Sequence, residues 1–160
     1  MNREQTEADT RAELIDPKLA AAGWVTGGDV QVLRERPITD GQIRPGKQRG
    51  PVTKPDYILS YKGCFLAVIE AKKSSKNVSD GVAQAKIDSQ KLRAGTAFAT
   101  NGHKIYQICH MTGTEGEIEL FPTPEELWDR TYGESSDWTK KFASVPFSDS
   151  RNFLTCSEFS

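Results

Sequence analysis

The stretch from Asp56 to Lys73 constrains the fold more than any other part of the chain. Tyr57-Ile-Leu-Ser-Tyr61 and Cys64-Phe-Leu-Ala-Val-Ile69 are apolar runs joined by Lys62-Gly63, which predicts a β-hairpin. The second run is apolar almost throughout, as a central strand covered on both faces must be. It then turns abruptly polar at Glu70-Ala-Lys-Lys-Ser-Ser. A strand end of that kind is where functional groups emerge from a core.

Other segments arrange themselves around this hairpin. Ala8, Ala12, Leu14, Ile15, Leu19 and Ala22 recur among charged residues, predicting an amphipathic N-terminal helix that bends or restarts near Pro17 and ends at Gly23. Val30-Gln-Val-Leu33 reads as a first strand. Residues 37–55 hold four prolines, three glycines and four basic residues, a long loop in which Arg44, Lys47 and Arg49 are candidate phosphate contacts.

Asn77 to Ala94 reads as a crossover helix, with Ser79 or Asp80 as N-cap, Val82, Ala83, Ala85, Ile87 and Leu92 inward, and Gly95 as its stop. Thr96-Ala-Phe-Ala-Thr100 and Lys104-Ile-Tyr-Gln-Ile-Cys109 flank an Asn101-Gly102 turn and form the next strand pair. A helix between two strands favours their parallel pairing, so the expected order is α, β, β, β, α, β, β around a mixed sheet. Beyond Met111 the chain offers a short strand at Glu117-Ile-Glu-Leu-Phe121 and a helix from Pro124 to Arg130. Residues 135–160 carry scattered aromatics without regular spacing and read as an extended tail.

At 160 residues the chain suits one domain with a real core. Its formal net charge is -1, so binding to nucleic acid requires a local basic surface. Cys64, Cys109 and Cys156 lack the short spacing of structural zinc sites, and no apolar run approaches membrane-spanning length. A cytoplasmic location is the expectation.

The chemistry concentrates at the hairpin ends. Lys54-Pro-Asp56 opens the first strand, and Glu70-Ala-Lys72 closes the second after thirteen residues. Alternate residues of a strand share a face, so Glu70 and Lys72 point the same way while the hairpin brings them back to Asp56. Two carboxylates and an ammonium in one pocket suit phosphodiester hydrolysis. Magnesium takes oxygen ligands and keeps several waters, so few carboxylates can hold it, and Lys72 can orient water or stabilise the crowded phosphorus. The plainer alternative is a turn residue at Asp56 and a solvated ion pair at a strand end. His103 and His110 carry no assigned role, and Trp24, Trp128 and Trp138 read as packing anchors.

Pro55-Asp56, thirteen residues, then Glu70-Ala71-Lys72 resembles the PD-(D/E)XK nuclease motif. Its surroundings resemble the N-terminal nuclease domain of type I restriction enzyme R (motor) subunits. The matching blocks are Glu7-Ala-Asp-Thr-Arg11, Ile15-Asp16, Leu19, Ala22-Gly-Trp24, Lys54-Pro-Asp-Tyr57, Val68-Ile-Glu-Ala-Lys72, Gln84-Ala85 and Thr100-Asn-Gly102. The resemblance covers about residues 4–130. It implies an α/β fold, the restriction-endonuclease-like αβββαβ core with a mixed central sheet, in agreement with the order read from the residues alone. It also implies a nuclease domain over 1–130, followed at 131–160 by an extension or linker toward a translocase region outside this sequence.

By the same resemblance Asp56 and Glu70 are magnesium ligands, with manganese as a substitute, and Lys72 is the catalytic lysine. An N-terminal acid often joins the metal site in this superfamily. Glu7 is the choice, with Glu4 and Glu13 as alternatives. Gln84 belongs to a Gln-x-x-x-Tyr helix motif, but Asp88 stands where tyrosine is implied, adding negative charge where a phosphate would pass. The implied function is cleavage of double-stranded DNA as the nuclease module of the R subunit. The implied partners are translocase domains of the same parent chain and methyltransferase and specificity subunits. No Gly-x-x-x-x-Gly-Lys-Ser/Thr loop is present, so ATP is expected to act only in the rest of the parent. The alternatives are a stand-alone repair or defence nuclease, and a non-cleaving DNA-binding or subunit-docking module.

Overall fold

A computed structural model describes residues 6–38 and 51–133. Six strands form one sheet in sequential order: β1 (Val30–Arg34), β2 (Tyr57–Tyr61), β3 (Cys64–Ala71), β4 (Thr96–Thr100), β5 (Ile105–Cys109) and β6 (Thr114–Ile118). All neighbouring pairs are antiparallel except β3 and β4, which run parallel as the crossover helix requires. Arg44, Lys47 and Arg49, and the aromatic tail with Trp138, lie outside the described residues.

Helices cover both faces. On one face Ile15, Leu19 and Leu127 pack with Tyr57, Leu59, Ala67, Ile69 and Phe98. They come from α2 (Asp16–Ala21), the turn preceding it, and α4 (Pro124–Tyr132). On the other face α3 (Val82–Leu92) sets Ala85 against Ala97 and Ile108. This double cover is why β3 is apolar on both sides, and Glu70, at its end, lies beside Ala99 of β4. Trp24 is buried and its indole N–H donates to the Pro122 carbonyl at 2.8 Å, while the half-buried Trp128 meets Tyr61 edge-on.

The N-terminal helix restarts as expected, and the mechanism is visible. After α1 (Glu7–Thr10) the backbone widens into a π-helical turn over Arg11–Ile15 before α2 begins with Pro17 in its first turn. Proline donates no N–H, so a wide turn just before it accommodates the missing bond. Thr6 caps α1 in a reciprocal capping box with Asp9.

Two helix expectations need correction. Residues 78–81 form a 3-10 turn capped by the Asn77 side chain on the Ser79 N–H, so neither Ser79 nor Asp80 is the cap, and α3 closes on Arg93 in the left-handed conformation rather than on Gly95. Ile87 and Ala83 face outward, and the buried residues of α3 are Ala85, Asp88 and Ser89. Small side chains let the helix lie close to a sheet face built of Ala97 and Ala99. The last strand sits at 114–118, earlier than the expected 117–121, because Phe121 is drawn into the core instead.

The Thr100-Asn-Gly102 turn is a structural hub. Thr100 Oγ1 donates to the Lys104 carbonyl and accepts from the Gly102 N–H, and Asn101 Oδ1 accepts from the His103 and Lys104 N–H groups. Asn101 Nδ2 reaches the Lys76 carbonyl at 2.9 Å, and Lys18 Nζ donates to the Gly102 carbonyl at 2.5 Å. One turn thereby ties the helix at the N-terminus, the segment after β3 and the β4–β5 hairpin together. At the far side of the sheet, β6 is exposed, and its Glu115 and Glu117 pair with Lys86 at 2.6 Å and Lys104 at 3.3 Å.

Candidate active site

Asp56 immediately precedes β2, and Glu70 and Lys72 lie at the end of β3, where the hairpin register sets Tyr57 opposite Ile69. The fold thus brings together the three residues singled out from sequence. Asp56 is buried and fully engaged: Oδ2 accepts the Ala71 N–H at 2.8 Å and Oδ1 accepts from Arg11 Nη1 at 2.6 Å. Lys72 Nζ donates to Glu70 Oε1 at 2.9 Å, and its N–H extends the parallel ladder to the Thr100 carbonyl.

Arg11 is the functional-site residue that sequence reasoning left without a role. It stands 45 positions from Asp56, and its Nη1 also reaches Glu35 Oε1 at 3.0 Å. Glu35 is held in a left-handed conformation with φ 48°, and its N–H donates to the Asp56 carbonyl. Nearby, the Thr10 hydroxyl accepts the Ser74 N–H, so the helix at the N-terminus also positions the segment after Lys72. The Tyr57 hydroxyl donates to Asp16 at 2.7 Å, and burial pushes its pKa far upward.

Burial and neighbouring charge together set the electrostatics of the pocket. Burial raises the pKa of Glu70; the Lys72 hydrogen bond opposes this, and the charges of Asp56 and Asp88 add to the rise. Burial works to lower the pKa of Lys72, yet its bond to Glu70 and the charges of Glu70, Glu7 and Asp56 leave it raised. An isolated ion pair would lower the acid and raise the base. Here both move up: burial lifts Glu70 most, with neighbouring carboxylates adding to it, and the same carboxylates lift Lys72.

A sign follows for stability. Since folding raises the Glu70 pKa, its contribution is fully present below the unfolded value of about 4.3 and is lost as pH rises through the folded value. Lys72 stays charged across this window. Metal-free Glu70→Gln is therefore expected to melt above the parent at pH 7 and to converge with it below about pH 4, where the unfolded chain is protonated too. Thermal denaturation of both proteins across that range checks this. A lower melting temperature at pH 7 would mean that the lost Lys72 bond outweighs the relieved burial.

The remaining site expectations divide. Glu7 is half-buried and its charge acts on Lys72, but it does not come close enough to Asp56 and Glu70 for the three to share an ion. Glu13 is exposed, and Glu4 lies outside the described residues. Gln84 donates to Asp88 Oδ1 at 3.0 Å rather than standing free for substrate. Asp88 itself is 1% exposed, so it does not line a surface path for phosphate as its charge had suggested. His110 has a structural partner: Ser89 Oγ donates to the Lys86 carbonyl, so the 2.7 Å contact to His110 Nε2 has the ring as donor.

The pocket offers oxygen donors, which suit a hard divalent cation. Among the described residues, no three His, Cys, Asp or Glu side chains lie close enough to hold one ion between them. A cation here would rest on Asp56 and Glu70 and complete its shell with water or substrate oxygens, a habit of magnesium.

A mixed sheet that delivers Asp56, Glu70 and Lys72 to one strand end, with a crossover helix behind them, defines a restriction-endonuclease-like fold. The chain is a homologue of type I restriction endonuclease (HsdR) subunits. It is 34% identical over 136 residues to the type I restriction enzyme EcoAI endonuclease subunit of Escherichia coli, covering 78% of this chain and 16% of that protein. It also shares its fold with a solved fragment assigned to an HsdR subunit of a type I restriction enzyme from Vibrio vulnificus YJ016. That match has a TM-score of 0.69 and 36% identity and covers 80% of this chain and 25% of the other. The chain thus spans a quarter or less of the relatives it matches. No family profile matches the chain. Among the described residues, no helix is long and apolar enough to cross a membrane.

Proposed function

We propose that this chain is a divalent-cation-dependent nuclease domain that hydrolyses DNA phosphodiester bonds, as the cutting module of a type I restriction endonuclease subunit. The observation that carries the reading is the gathering of Asp56 and Glu70 at the open end of the β2–β3 hairpin, with Lys72 Nζ 2.9 Å from Glu70. Asp56 and Glu70 hold magnesium or manganese, with Glu7 adding field from the helix at the N-terminus. The cation supplies charge neutralisation at the phosphate and acidifies water. Lys72 stabilises charge that grows on phosphate oxygens, and the Gln84–Asp88 pair steadies the wall behind Glu70. In the longer parent, ATP-driven translocase domains and methyltransferase and specificity subunits bring double-stranded DNA to this domain, with Arg44, Lys47 and Arg49 touching its phosphates.

The test is nicking of supercoiled plasmid by the purified chain with magnesium, manganese, calcium or chelator. With a net charge of -1 and no base-reading motif, cleavage is expected to be slow, dependent on magnesium or manganese, and without sequence preference. One observation favours a second reading, a non-cleaving docking module: both Asp56 oxygens already hold internal donors. Manganese binding without any nicking, on plasmid or on oligonucleotide duplex, would select it.

A further inference from the structure

Each carboxylate offered to a cation already faces an internal one. Lys72 Nζ lies 2.9 Å from Glu70 Oε1, and Arg11 Nη1 lies 2.6 Å from Asp56 Oδ1. Asp56 Oδ2 is committed to the Ala71 N–H at 2.8 Å, so Oδ1 is the oxygen left for a ligand, and that is where the guanidinium rests. The Asp56 side chain is only 11% exposed, so solvent screens this contact little. A guanidinium keeps its proton at any working pH, and Arg11 can therefore leave Asp56 only by moving. A second seat is at hand. The same Nη1 lies 3.0 Å from Oε1 of Glu35, whose side chain is 52% exposed. Glu35 directly follows β1 and Asp56 directly precedes β2, and the Glu35 N–H donates to the Asp56 carbonyl at 3.0 Å, which keeps both acids within reach of one arginine.

Resting on the nuclease reading above, we propose that Arg11 is a built-in competitor for the divalent cation at Asp56, and that Glu35 is the carboxylate that keeps the guanidinium when the cation takes its place. Binding is then an exchange. Nη1 gives up Asp56 and retains Glu35, so the displaced charge stays on an exposed acid instead of being held against the incoming ion. In the metal-free chain Arg11 and Lys72 each face one acid, which lets Asp56 and Glu70 share a strand end without an ion between them. The contact that looks like an obstacle to metal binding thereby sets how tightly metal is held.

The experiment is calorimetric titration of manganese into the metal-free chain and its variants, with thermal denaturation of each alongside. Arg11→Gln removes the competing charge and is expected to bind manganese about tenfold more tightly, the size of one charge-assisted hydrogen bond that no longer has to be broken. Glu35→Gln removes the second seat and is expected to weaken binding by about threefold, as befits an exposed pair. It lies at the surface and tests the same exchange should the arginine variant lose its fold. In the double variant the Glu35 effect should vanish, because there is no guanidinium left to receive. Parent-like or weaker binding by folded Arg11→Gln overturns the proposal, since an arginine that merely positions Asp56 would be missed rather than outcompeted. Equal weakening by Glu35→Gln with and without Arg11 overturns the receiving role, because the acid would then act on the ion through its field alone. Asp56→Asn separates the two readings: if the parent binds manganese, Asp56→Asn does not, and Arg11→Gln gains nothing, only the exchange fails. If neither the parent nor Arg11→Gln binds manganese at millimolar concentration, the cation site fails and the exchange with it.

Discussion

Lys72→Ala is expected to lower cation-supported DNA cleavage by about a thousandfold, with the chain still folded. The size follows from chemistry: withdrawing one preorganised positive group from developing negative charge costs about 3–4 kcal/mol, or two to three orders of magnitude. Lys72 is partly exposed and its carbon stem is not part of the core, so its loss leaves no cavity. Asp56→Ala should be equally inactive for a different reason and at a structural cost. It strands the Ala71 N–H and one arm of Arg11, and a buried donor left unsatisfied costs about 1–3 kcal/mol. Paired thermal denaturation and plasmid assays on both variants give the contrast. Cleavage by Lys72→Ala within a few-fold of the parent removes this lysine from the mechanism. An Asp56→Ala protein as stable as the parent would mean that the two hydrogen bonds contribute nothing to folding.

Gly102→Ala is expected to be strongly destabilising. Gly102 has φ +87°, and an added Cβ would stand 2.6 Å from Leu14 Cβ and 2.7 Å from Leu14 Cδ1. Left-handed backbone costs a non-glycine residue about 1–2 kcal/mol, and forced overpacking adds about 1–3 kcal/mol. The strand pair cannot back away, because Lys18, Lys76 and Lys104 are all bonded to this turn. Urea denaturation should therefore show a loss of about 2–5 kcal/mol. The cause is separable. In a cycle with Leu14→Ala, the contact share of the loss should disappear while the backbone share remains. If Gly102→Ala costs the same with and without Leu14, the steric account of the turn is wrong.

The parts of this molecule that sequence disclosed are those whose signal is local. The β2–β3 hairpin announces itself by period and turn chemistry, and the change from Ile69 to Glu70 marks where the candidate site opens. The Thr100-Asn-Gly102 turn was recognisable as a turn, but its duty toward Leu14 was not, since that contact joins residues nearly ninety positions apart. Arg11, quoted only as part of a matching block, received no role for the same reason: an arginine in a charged helix looks solvated until Asp56 is placed beside it. The inward face of α3 was misread because its apolar residues suggested one face while packing against Ala97 and Ala99 required small ones. Ile87 was left outside and Asp88 went in. No periodicity argument finds a buried carboxylate, because burial of charge is decided by partners and not by pattern.

The exposed strand β6 has a consequence for how the chain behaves in company. A terminal strand offers unpaired backbone groups to any other strand that drifts by, and proteins guard such margins with charge. Here Glu115 and Glu117 stand on that margin, braced by Lys86 and Lys104. Two copies approaching margin to margin would bring like charges into register, so self-templated growth through this strand is discouraged.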